Sequence, residues 1–235
     1  MYLEVKVNDY NFQEVKISNI VSYGLTEYTM KNYEIPLLAE NYYHIYNHAN
    51  GSDNLFLNSE NYRYFLQRYA TFISPIADTF AYCLMPNHIH FLIRIKSESE
   101  LRKAYQYKTK STKILLDENI PNYISREFAS LFSSYSQAFN RQHGRKGSLF
   151  MPNFKRKLVE SEQYFTQLVH YIHANPVHHG FVTDMQAWEY SSFHAFLSQK
   201  RTNLQRDEVL NWFGNVESFI KFHEDMPIKG FFEFD

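Results

Sequence analysis

The stretch AYCLMPNHIHFLIRI, residues 81 to 95, most restricts what this chain can fold into. Apolar residues run up to Met85, Pro86 and Asn87 interrupt them, and a second apolar run follows, so 79–85 and 88–95 read as two strands of a hairpin. Alternate side chains of a strand share a face. Ile89, Phe91, Ile93 and Ile95 therefore point into a core, while His88, His90, Leu92 and Arg94 point the other way. Two imidazoles side by side are close enough to bind one cation, a common task for neutral histidine. The H-x-H pattern alone is only moderately specific. Two histidines that merely hydrogen-bond on a half-exposed sheet face would read the same.

The surrounding segments supply partners for this hairpin. Residues 2–7 and 14–21 read as a short N-terminal hairpin, and 41–47 (NYYHIYN) as a further strand ended by Asn50 and Gly51. Ser59 can cap a helix in which Tyr62, Phe65, Leu66, Tyr69, Phe72 and Ile73 recur at helical spacing until Pro75 stops it. A second helix is predicted over Arg126–Asn140, with Phe128, Leu131, Phe132, Tyr135 and Phe139 on one face. A third starts near Ser161 and ends around Asn175, because Pro176 biases its predecessor away from helical geometry. Past residue 188 the pattern suggests short helices at Asp207–Phe213 and Val216–His223.

Composition excludes several classes. Hydrophobic residues make up 44% and aromatic residues 18% of 235, with only 7 Gly and 7 Pro, so the chain can bury a core and is not low-complexity. A lone cysteine, Cys83, rules out an internal disulfide and any CxxC zinc or redox motif. No segment reads as a signal peptide or a bilayer-spanning run. The expectation is a soluble cytoplasmic protein with no membrane partner. Net charge is −1, so basic character must be local. It gathers in Arg94–Lys113 and, with no acid at all, in Arg141, Arg145, Lys146, Lys155, Arg156 and Lys157. Such clusters can hold phosphates, although a solvated face is the plainer reading.

A cation held by two histidines needs another ligand, and a reaction needs a nucleophile or base. On the third helix Phe165, Leu168, Val169 and Ile172 define the buried face. Tyr171 and Asn175, four residues apart, lie about 40° from each other on its flank. By contrast Tyr135 and Asn140 lie about 140° apart, and Tyr135 sits within its helix's apolar stripe, which reads as packing. His170 points nearly opposite the core and His173 to the other flank, so neither is expected to act; His178 and His179 stay unassigned.

Four segments in order, AYCLMPNHIHFLIRI, KGSLFMPNFKRKL, YIHANPVHHGFV and WEYSSF, resemble the HUH single-tyrosine transposases, specifically the branch called REP-associated tyrosine transposases. The resemblance runs from about Asn41 to Leu197, leaving residues 1–40 as an N-terminal extension and 198–235 as a C-terminal helical tail. It implies an α+β fold, a ferredoxin-like antiparallel sheet with helices, to which the N-terminal hairpin and the C-terminal helical extension are added. It implies that His88 and His90 are the metal-binding pair, that Asn175 is the third ligand and that Tyr171 is the nucleophile. The cofactor it implies is a divalent ion, Mg²⁺ or Mn²⁺, and the partner is single-stranded or hairpin DNA. A homodimer with shared sites stays open.

The implied chemistry suits these residue types. Two imidazoles and a carboxamide carry no negative charge, so the ion keeps its full attraction for a phosphate oxygen and acts as a Lewis acid. A phenol with a pKa of about 10 is scarcely ionised at neutral pH and needs help from the cation or a base. The expected activity is DNA transposition by transesterification, through a 5′-phosphotyrosine and a free 3′-OH. The chain has no GxxxxGK[ST] loop for ATP. The alternative is a domesticated relative that binds hairpin DNA without cutting; a metal-dependent hydrolase using water and a purely structural protein are further rivals.

Overall fold

The computed structural model describes residues 31, 33–110 and 112–227. The expected hairpin at 2–7 and 14–21 lies outside the described residues. In chain order come strand β1 (Tyr42–His48), helix α1 (Ser59–Phe72), strands β2 (Ala77–Leu84) and β3 (His88–Ile95), helices α2 (Glu98–Thr109) and α3 (Ile120–His143), strand β4 (Lys155–Leu158) and helix α4 (Glu162–His178). Three short helices follow: α5 (Phe193–Leu197), α6 (Arg206–Phe213) and α7 (Val216–Asp225).

The four strands form one antiparallel sheet in the order β2-β3-β1-β4. With one crossover through α1 and a second containing α2 and α3, this is the split βαβ arrangement of a ferredoxin-like α+β fold. The alternation in β3 sets its two faces. Ile89, Phe91, Ile93 and Ile95 enter a core completed by α1 and α3 through Phe65, Tyr69, Phe128 and Tyr135. Leu92 enters a second core on the opposite face, with Phe165, Leu168, Val169 and Ile172 of α4.

Several elements differ from the sequence reading. Helix α1 is capped by Asn58, whose side chain accepts from the Asn61 amide, one residue before the expected cap. Helix α3 begins six residues earlier than expected, with Pro121 in its first turn, where the missing N–H costs nothing. It ends at Gly144, whose positive φ of 62° is the left-handed cap that glycine adopts without strain. Helix α4 does not stop at Asn175 but runs through Pro176 to His178. Ala174, Asn175 and Pro176 are all buried, and the His179 amide closes the last turn on the Asn175 carbonyl at 3.0 Å, so packing and a downstream cap overcome the local bias of the proline.

The C-terminal helices are not peripheral to α4. Val209, Phe213 and Phe219 share a core with Phe165, Leu168 and Phe193, so α4 is enclosed on both sides. This corrects the placement of His170 and His173 away from the core, though not the reading of both as structural. Both are buried, because the helices that cover them come from 20 to 50 residues further on. His173 lies 3.0 Å from His223 Nε2 through Nδ1 and 2.8 Å from Ser192 Oγ through Nε2. Ser192 in turn receives the Tyr82 amide and gives its own amide to the Tyr82 carbonyl, which fastens this layer to β2.

Candidate functional site

Register places the site. In the β1–β3 ladder Tyr46 opposes His90 and His48 opposes His88, and in the β1–β4 ladder His44 opposes Lys157 and Tyr46 opposes Lys155. Opposed residues share a face. Four strand histidines and two lysines therefore lie on the face that α4 packs against.

The structure brings the four residues singled out for chemistry together. Asn175 presents its amide between the two imidazoles: Oδ1 lies 2.8 Å from His88 Nε2 and Nδ2 lies 3.3 Å from His90 Nε2. The Tyr171 ring stands edge-on to His90, with centroids 5.5 Å apart, and edge-on to His44 at 6.0 Å. One turn of α4 separates Tyr171 from Asn175, so a single helix delivers both to the histidines of the same chain. All four are buried; Tyr171 is 5% exposed.

Each imidazole of the pair is also held from behind. His88 Nδ1 faces Asn87 Oδ1 at 2.8 Å, and His90 Nδ1 faces His44 Nε2 at 2.9 Å. His48 stacks on His88 with centroids 4.9 Å apart, and the exposed His179 meets His88 at 4.8 Å. The residues that sequence reasoning missed are thus His44, His48 and His179. The spacing of His44 and Tyr46 in the strand predicted over 41–47, with His48 one residue past its end, was the available signal, since alternation puts all three on one face. Their partner strand was not legible.

Electrostatics favours a neutral His90 ring. Burial above all, and then the neighbouring imidazoles of His88, His44, His48 and His179, hold His90 well below the usual histidine range. A neutral imidazole is the form that ligates metals. His88 places a ring nitrogen against an oxygen on each side, yet a neutral ring has one proton for the two. One contact therefore pairs two lone-pair atoms, an arrangement that a shared cation or a ring proton satisfies. Cis ligands of an ion bound at about 2.1 Å sit about 3.0 Å apart, so the 2.8 Å between Asn175 Oδ1 and His88 Nε2 fits a cation held by that pair. Among the described residues no three His, Cys, Asp or Glu side chains converge on a metal position. A cation here relies on the carboxamide.

The basic residues separate into two groups. Lys155 and Lys157 hold their ammonium groups 5.5 and 5.7 Å from the Tyr46 ring centroid, on the histidine face. Arg141 and Lys146 are exposed at the end of α3 and in the loop after it. Arg156, between the two lysines, points to the other face, where it is buried beside Phe154 and donates to the Tyr33 carbonyl at 2.5 Å. Arg145 pairs with Asp53 and donates to the carbonyls of Gly147 and Ser148, pinning its own loop. Arg94 is likewise committed, to Asp78 and Glu208. Tyr135 is buried and donates to the Leu55 carbonyl, in keeping with a packing role.

Fold and site together have the layout that the sequence resemblance implies for HUH single-tyrosine transposases: a ferredoxin-like antiparallel sheet whose H-x-H strand faces a helix carrying a tyrosine and an asparagine. The chain is similar to two curated proteins that carry REP-associated tyrosine transposase in their names. One, from Haemophilus influenzae, is 32% identical over 120 residues, 50% of this chain. The other, from Escherichia coli, is 26% identical over 93 residues, 40% of this chain. The matched stretches span 59% and 52% of those relatives' own lengths. No family model matches the chain. A solved structure of a REP-associated tyrosine transposase bound to a REP hairpin aligns with a TM-score of 0.49 at 15% identity, covering 74% of this chain and 87% of that one. Among the described residues no helix is long and apolar enough to cross a membrane.

Proposed function

We propose that this chain is a single-tyrosine DNA strand transferase. The observation that carries the reading is the meeting of Tyr171 with His90, at 5.5 Å between ring centroids, on a helix whose Asn175 closes the H-x-H pair. The names of the two curated relatives support the same class. The substrate is single-stranded or hairpin DNA, because a nucleophile on a buried helix needs a backbone phosphate free of its complementary strand.

In this reading the phenolic oxygen of Tyr171 attacks a DNA phosphorus. A tyrosine–phosphate bond forms to the 5′ side and the 3′ oxygen leaves, taking up a proton. A later 3′-OH reverses the exchange and frees the phenol. His88, His90 and Asn175 would hold a divalent ion, Mg²⁺ or Mn²⁺, which when bound supplies Lewis acidity at the scissile phosphate. The neutral donor set leaves the ion's charge undiminished, and the depressed basicity of His90 keeps its Nε2 lone pair available near neutral pH. Lys155 and Lys157 would grip neighbouring phosphates beside the histidine cluster.

The test uses 5′- and 3′-labelled single-stranded hairpins, Mn²⁺ and a denaturing gel. A labelled species migrating at the mass of protein plus DNA, absent for Tyr171→Phe, is the expected result. The 5% exposure of Tyr171 favours a second reading, a hairpin-DNA-binding relative that does not cut. In that case the hairpin shifts on a native gel and Mn²⁺ yields no product.

A further inference from the structure

We infer that His44 is a positioning residue for the proposed metal site: it accepts the Nδ1 proton of His90 and so aims the Nε2 lone pair of His90 at Asn175. The inference rests on the metal reading above and extends it to a residue outside the H-x-H pair and the tyrosine helix.

Three observations carry it. First, His44 Nε2 lies 2.9 Å from His90 Nδ1, and both rings are fully buried, so water does not offer a substitute partner. Second, the far nitrogen of His90 faces the Asn175 amide nitrogen at 3.3 Å, and an amide N–H donates only to an unprotonated ring nitrogen. The proton of neutral His90 therefore belongs on Nδ1, and His44 Nε2 is its acceptor. Third, the ring cannot tilt away from this contact. Tyr46 stacks beside both His44 and His90, with interplanar angles of 20° and 14°, while Tyr171 abuts His90 edge-on.

An acceptor also stands behind His88, where Asn87 Oδ1 lies at Nδ1, while Nε2 faces the carboxamide oxygen of Asn175 rather than its nitrogen. The group behind each imidazole comes from a different element, β1 for His90 and the turn before β3 for His88. An acceptor behind a ligating histidine fixes its tautomer and raises its donor strength, and loss of such a partner typically lowers metal affinity about 10–100-fold.

The test compares His44→Gln, whose side-chain oxygen can still accept, with His44→Phe, which fills similar space without an acceptor. Mn²⁺ affinity is read by calorimetry, and the His90 tautomer by long-range ¹⁵N–¹H correlation on the protein without added metal. We expect His44→Phe to weaken Mn²⁺ binding about 10–100-fold and to lose the single Nδ1–H form of His90, and His44→Gln to retain both. A wild-type His90 protonated on Nε2, or a Phe variant with unaltered tautomer and affinity, overturns the assignment. Equal losses in the Gln and Phe variants also overturn it, since they mark a packing role only. If His44→Phe does not fold, the wild-type and Gln spectra decide. If the wild type binds no Mn²⁺, the metal reading fails, and the ¹⁵N arm alone then decides the hydrogen-bonding role of His44.

Discussion

The carboxamide oxygen of Asn175 lies 2.8 Å from Nε2 of His88, a residue 87 positions earlier in the chain. The contact joins the end of α4 to the start of β3. Its partner contact, from the amide nitrogen to His90, lets the Asn175 side chain bridge both imidazoles.

Removing that bridge gives the first prediction. Asn175→Ala strips a ligand from the proposed cation and leaves buried ring nitrogens without a polar partner, at about 1–3 kcal/mol. Calorimetry should show Mn²⁺ binding weakened by at least about tenfold, with DNA cleavage falling alongside. Mn²⁺ affinity equal to wild type would remove Asn175 from the ligand set.

A second prediction concerns acid. Burial lowers His170 to about 4 and His223 to about 3, and holds His173 and His90 well below the usual range. In each case the unfolded chain takes up protons near pH 6.5 while the folded chain does not. The stabilisation is complete above about pH 6.5 and is lost as pH falls toward the folded-state values, at about 1.4 kcal/mol per group for each pH unit. Urea midpoints should therefore drop steadily from pH 7 to pH 5. A flat profile across that range contradicts the buried neutral cluster.

The division of the basic stretch is testable by charge reversal. Lys155→Glu with Lys157→Glu should weaken single-stranded DNA binding and reduce the slope of log affinity against log salt by about 1.4, at about 0.7 per phosphate contact. Arg156→Met, on the opposite face, should alter Tm and leave that slope where it was. Fluorescence anisotropy at several salt concentrations reads both, and an unchanged slope in the double variant excludes these lysines from the DNA path.

The C-terminal helices should matter to the stability of the layer that holds the site. Phe219 is fully buried against Phe193, Phe196 and Phe213 in the layer that encloses α4. Phe219→Ala is expected to cost about 3–5 kcal/mol in denaturant unfolding. A loss below 1 kcal/mol on the same curves would show that this layer is not integral to the α4 core.

The legible parts of this protein were those with a clean period. The alternation through Ile89, Phe91, Ile93 and Ile95 fixed a strand and its core face, and the helical recurrence from Tyr62 to Ile73 marked α1. Tyr171 and Asn175 could be paired because four residues nearly complete a helical turn. Helix α2 escaped notice because Leu101 is its one buried residue, so its capping box of Ser97 and Glu100 had no apolar stripe behind it. Strand β4 was hidden by Lys155 and Lys157, whose charge is tolerated on an edge strand. The covering of His170 and His173, and the contact of His44 with His90, depend on pairings across about 50 residues, which no local pattern encodes.

The central claim is that the Tyr171 oxygen becomes bonded to DNA. The most direct measurement is peptide mass spectrometry on protein incubated with single-stranded hairpin DNA and Mn²⁺, then digested with nuclease and protease. The account predicts a nucleotide-sized mass addition on the α4 peptide, localised by fragmentation to Tyr171. Cleaved DNA with no modified peptide, or a modification on any other residue, would contradict it.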